Sequence, residues 1–107
     1  MPIVLFRSRV RDDADMAALQ AVGTRMDELV RTMPGFVSYR DYSAADGEVL
    51  TVVEFRDEAS MKAWREHPEH RAAQQRGRDE FFSEYRIQVC DLQREYAFQP
   101  SGSRERN

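Results

Sequence analysis

The sequence predicts an α+β domain of the ferredoxin-like, βαββαβ kind, with a four-stranded antiparallel sheet that carries its helices on one side. Three observations predict it. Strand-like and helical stretches alternate in the order strand, helix, strand, strand, broken helix, strand. An Asp46-Gly47 turn signal separates FVSYRDYS from EVLTVVEFR, as a hairpin requires. The stretches Ile3–Val10 and Glu48–Arg56 carry apolar residues on both parities, so the sheet face without helices needs a cover, and a homodimer supplies one. At 107 residues there is room for one core. The domain is placed at residues 1–98, and residues 99–107, QPSGSRERN, are expected to form a disordered tail because they are polar and aperiodic.

Ile3 to Val10 is rich in β-branched and aromatic residues, with Val4, Phe6 and Val10 on one parity and Ile3 and Leu5 on the other. Asp12 and Asp13 offer an N-cap for a helix whose apolar residues, Met16, Leu19, Val22, Met26, Leu29, Val30 and Met33, recur at helical steps. Gly23 inside that helix signals either tolerance or a close approach, and Pro34-Gly35 ends it. After the hairpin, Asp57 caps a short helix running through His67, with Met61 and Trp64 on one face. Pro68 opens a second helical stretch that the spacing extends to Tyr85, with His70, Ala73, Gly77 and Phe81 on its inward stripe. Ala73 and Gly77 mark either close packing or an open cavity. Arg86 to Phe98 returns to a strand pattern.

Composition narrows the function. The net charge is −3, and the charge-dense stretch Arg56 to Arg86 holds seven residues of each sign, so no basic stripe forms and nucleic acid is not expected as a partner. The apolar runs are too short to span a bilayer, no export signal is visible, and the single cysteine, Cys90, fits a reducing compartment, so a cytoplasmic protein without membrane contact is expected. Cys90 itself reads as a small core residue. The spacing of His, Cys, Asp and Glu does not form a metal site, and there is neither a phosphate loop nor a nucleophile elbow.

The segments MPGFVSYRDY, EVLTVVEFRDEASMKAW and HPEHRAAQQRGRDEFF resemble the antibiotic biosynthesis monooxygenase family over residues 3 to 98. The resemblance implies a dimeric α+β barrel in which two sheets pack face to face, with the last strand reaching toward the partner. It also implies a pocket between helices and sheet, where a cofactor-independent oxygenase would deprotonate an electron-rich aromatic, such as a polyketide-like phenol, anthrone or quinol, and let the anion reduce O₂. No cofactor is then needed. Two alternatives stay open: a non-catalytic small-molecule-binding or stress-associated dimer, and a haem-binding or haem-degrading protein. Haem-degrading relatives carry an asparagine on the first strand and a ligating histidine about ten residues after the helix tryptophan, whereas here the asparagine is Asn107 and the latter position is Gln74.

Each candidate residue has two readings. Trp64, which matches the family's pocket tryptophan, is either a pocket wall with an indole N–H or a core aromatic. His70, on the inward stripe, is either the base for proton transfer or a hydrogen-bonded structural histidine. His67, before Pro68, is either a substrate contact or an exposed helix boundary. Phe81 and Tyr85, taken with Phe82 at a helix end, either stack on a substrate or fill the core. Arg40, like Arg7 and Arg9, lies in a strand and either faces a ligand anion or makes a cross-strand salt bridge with Asp41 or Glu54.

Overall fold

The computed structural model describes residues 1–100, so the tail expected over 99–107 falls, except for Gln99 and Pro100, outside the described residues. Its elements are β1 (Pro2–Val10), α1 (Met16–Val30), β2 (Phe36–Ser43), β3 (Val49–Phe55), α2 (Glu58–Glu66), α3 (Pro68–Arg76), a π-helical turn (Gly77–Phe81) and β4 (Phe82–Asp91). The strands form one antiparallel sheet in the order β2-β3-β1-β4. This is the expected ferredoxin-like architecture.

Local chemistry sets the element ends. The cap of α1 is Asp15, whose carboxylate accepts from the Ala18 N–H at 3.1 Å; the earlier Asp12 and Asp13 lie in a turn outside the helix. A cap must sit one residue before the first helical one, and only Asp15 does. Past Val30 the chain turns through Met33, and Gly35 takes φ of 79° where an added Cβ would strike the Ser60 side chain. Asp57 caps α2 through the Ser60 N–H at 2.8 Å. His67, kept extended by Pro68, caps α3 by accepting the Glu69 N–H on Nδ1 at 3.1 Å.

The last third departs from expectation. The helix predicted through Tyr85 stops at Arg76, widens into the π-helical turn, and gives way to a strand that begins at Phe82 instead of Arg86. Phe82 and Tyr85 pair with Val10 and Ser8 of β1. Arg11 secures the switch, donating from Nε to Phe82 O at 3.1 Å, from Nη1 to Asp79 O at 2.9 Å and from Nη2 to Arg78 O at 2.8 Å. Those carbonyls have no helical partner once the helix ends. β4 also stops at Asp91, short of Phe98, because its last pairing is with Pro2 and β1 offers no further edge.

The sheet alternation sends Val4, Val53 and Phe55 toward the helices, where they pack with Met26 and Val30 of α1 and with Met61 and Trp64 of α2. The opposite face carries Leu5, Leu50 and Val52, along with Arg7 and Arg9, whose partners are Glu48 at 3.2 Å and Asp46 at 2.9 Å. Asp41 and Glu54, the expected partners, are engaged elsewhere: Asp41 accepts from Thr51 Oγ1, and Glu54 from Ser38 Oγ at 2.6 Å. Cys90 is exposed on this second face, beside Ile3, and is not a core residue.

Candidate functional site

Between the sheet and the helices lies a cavity of about 430 Å³, within the size range of small-molecule sites. Alternating residues of β1 and β3 form its floor, and α1 roofs it with Leu19, Val22 and Met26. Gly23 is also in the roof, and no atom lies within 4 Å of where its Cβ would stand, so this glycine leaves room instead of permitting a close contact. Gly77 does the opposite: a Cβ there would come within 2.8 Å of the Phe82 ring.

Trp64 is 6% exposed and belongs to the core cluster while also lining the cavity, so its two readings describe the same ring. His70 stacks on it, with ring centroids 4.1 Å apart and planes at 20°. His70 Nδ1 lies 3.0 Å from Trp64 O. A carbonyl oxygen only accepts, so Nδ1 carries the proton and Nε2 keeps its lone pair. Burial pushes the His70 imidazole down from 6.5 to about 4; the bond to Trp64 O opposes that shift and nearby His67 adds to it. His70 is therefore neutral at pH 7 and half-buried against an apolar chamber, and among the described residues nothing hydrogen-bonds its second ring nitrogen.

Phe81 lines the same cavity and is 1% exposed, under the guanidinium of Arg76 at 5.1 Å. The other candidates stand apart. His67 is occupied as a helix cap, its ring 6.2 Å from that of Trp64. Tyr85 lies on β4, packs on Phe6 at 5.2 Å and accepts from Arg78 Nη1 at 2.9 Å. Arg40 is exposed on the sheet face away from the cavity, its guanidinium 5.7 Å from the Tyr42 ring. Of the candidates, Trp64, His70 and Phe81 thus line one cavity.

The structure adds polar groups that the sequence reading passed over. Ser8, Tyr39 and Gln74 also line the cavity. Tyr39 is pushed up to about 12, first by burial and then by the charges of Asp41 and Asp27, so its hydroxyl remains a donor near neutral pH. A signal for Ser8 did exist, since it shares the parity of Val4, Phe6 and Val10. Among the described residues no group of three or more His, Cys, Asp and Glu stands close enough to hold a metal ion, and no helix is long and apolar enough to cross a membrane.

A helix-roofed antiparallel sheet enclosing an apolar chamber, with a tryptophan and an imidazole at one end, defines a small-molecule-handling α+β domain. The profile described as antibiotic biosynthesis monooxygenase matches residues 1–76, and the chain belongs to that family. The uncharacterized protein YqjZ of Bacillus subtilis is 33% identical over 75 residues, which cover 70% of this chain and 66% of that relative. Among solved structures, Rv0793 from Mycobacterium tuberculosis superposes with a TM-score of 0.77 at 25% identity, covering 89% of this chain and 98% of that one. SnoaB, a cofactor-independent oxygenase from Streptomyces nogalater, gives a TM-score of 0.73 at 14% identity over 88% of this chain and 94% of its own, a likeness of fold.

Proposed function

We propose that this protein is a cofactor-independent oxygenase for an electron-rich aromatic, a phenol, anthrone or quinol, with O₂ as co-substrate. The observation that carries this reading is the bare Nε2 of His70 beside the Trp64 ring in an apolar cavity. For an anthrone the chemistry balances without a further reagent. Nε2 takes a proton from the activated CH₂, the carbanion gives one electron to O₂, the radical pair combines into a peroxide anion, and the imidazolium returns its proton to make the hydroperoxide. Loss of water from the peroxide leaves a carbonyl, so one oxygen atom enters the product and the other leaves as water.

The chain's own residues supply the surroundings. Trp64 and Phe81 offer flat apolar walls, and the roof restricts water around the anion. A neutral imidazole with a low pKa is a weak base, but the imidazolium it becomes faces a substrate anion in a poorly screened site, and that attraction offsets the unfavourable transfer. The test is O₂ uptake with anthrone and no added metal or flavin. His70→Ala should lower kcat by about 10²–10⁴-fold with the fold retained. Unchanged turnover in that variant removes His70 from the mechanism.

The working unit in this proposal is a homodimer. Leu5, Leu50 and Val52 share the sheet face that no helix covers, and Tyr42 on that face is half exposed. Two such faces packed together would close a barrel. Beyond β4, Tyr96 is 73% and Phe98 79% exposed, which suits a segment that finds its apolar partners on a second copy. Sedimentation should give a dimer at micromolar concentration and a monomer for Leu50→Glu; a monomeric wild type overturns this assignment.

A further inference from the structure

We propose that Ser8 binds a second oxygen of the ligand, remote from the one that His70 approaches, and so selects among aromatic substrates by where they are oxygenated. The inference rests on the aromatic reading above and adds the residue that selects among such substrates.

Ser8 is 4% exposed and lines the cavity, and among the described residues no group hydrogen-bonds its Oγ. Nearly all buried polar groups in folded proteins have a partner, and an unpaired one is costly. Its neighbours do not relieve it. The Thr51 hydroxyl, one step along the floor, donates to Asp41, and the Tyr85 hydroxyl, across the strand pair, is held by Arg78. The rest of its parity on β1 is Val4, Phe6 and Val10, so an apolar side chain at position 8 would satisfy the packing. A hydroxyl there makes chemical sense if the cavity's occupant brings an oxygen to it.

Ser8 stands further along the floor than the part that packs near Trp64. Val4 packs against the cluster that contains Trp64, on which His70 stacks. Ser8 lies four residues further along the same extended strand, a separation of about 13 Å. It approaches the opposite end, where Val10 pairs with Phe82 and the Arg11 N–H binds Phe81 O at 2.8 Å.

The experiment compares two stable, redox-inert probes that differ by one remote hydroxyl, 2-hydroxyanthraquinone and 2,6-dihydroxyanthraquinone. Binding is followed by quenching of Trp64, the single tryptophan of the chain. The wild type should hold the dihydroxy compound about tenfold more tightly, the yield of one buried hydrogen bond. In Ser8→Ala, with unchanged circular dichroism, that preference should fall below about twofold while affinity for the monohydroxy compound stays within about twofold. Equal affinities in the wild type, or a preference that survives in Ser8→Ala, would overturn the role of Ser8 and leave proton transfer by His70 standing. Failure of the wild type to bind either probe would sink both this inference and the aromatic reading beneath it.

Discussion

Replacing His70 with phenylalanine should remove most of the acid sensitivity of folding between about pH 7.5 and about pH 5. In the unfolded chain the imidazole titrates at its ordinary 6.5, whereas burial holds it at about 4 in the native protein. Between those values the unfolded state binds a proton that the native state refuses. Because the folded pKa is depressed, the native state is favoured at high pH and progressively penalised as pH falls through 6.5 toward 4. At about pH 5 the penalty is about 2 kcal/mol, approaching ~3 kcal/mol at lower pH. The carboxylates of Asp46, Asp57, Glu69 and Glu80, held low by Arg9, the Ser60 N–H, Arg25 and Arg76 respectively, contribute their own losses mainly below this window. Phenylalanine keeps a ring on Trp64, and Trp64 O retains the His67 N–H at 3.1 Å. Urea unfolding at fixed protein concentration and at both pH values gives the comparison. The wild type should lose about 2 kcal/mol and His70→Phe less than about 0.5 kcal/mol. Equal losses in the two proteins would refute the assignment of the buried neutral imidazole.

The two helix-side glycines should respond in opposite directions. Gly77→Ala places a methyl within 2.9 Å of two Phe82 ring atoms, and Phe82 is itself set edge-on to Phe6 at 5.5 Å, so it has little freedom to yield. The cost should be about 1–3 kcal/mol, read as a lower Tm. Gly23→Leu points a side chain into open cavity and improves the helix by about 1 kcal/mol. Its Tm should rise while affinity for any aromatic ligand falls; a variant that binds as well as the wild type would place the ligand elsewhere.

How much of this was legible depended on whether a signal was local. The Asp46-Gly47 hairpin, the Asp57 cap and the Pro68 break each act within a few residues, and each lies where the sequence puts it. The exit from α3 was not legible, because Phe81, Phe82 and Tyr85 are spaced as well for a helix as for an aromatic strand. The deciding contacts come from Arg11, 71 positions away from Phe82. Arg40 was misplaced for a similar reason. The register of β2 shifts between Phe36 and Ser38, so Phe36 packs against the core but Tyr39 and Asp41, of the other parity, face the cavity. Without that irregularity, simple alternation would turn Arg40 inward. Ser8 was readable in principle, as a small polar residue on an apolar parity, but the charged Arg7 and Arg9 beside it drew the attention.

The carbonyl that aims His70 belongs to the backbone of Trp64, while the surface it lies on is the Trp64 side chain. These two supports are inherited differently. A substitution at position 64 can take away the indole but not the oxygen, so the tautomer of the base is independent of side-chain identity and tied to how α2 ends. If His70 is the base proposed above, the His67-Pro68 break that closes α2 belongs to the proton-transfer apparatus, though neither residue lines the cavity. Side-chain substitutions can remodel the chamber's walls, but a change that let α2 and α3 fuse into one straight helix would turn the imidazole away from Trp64 O.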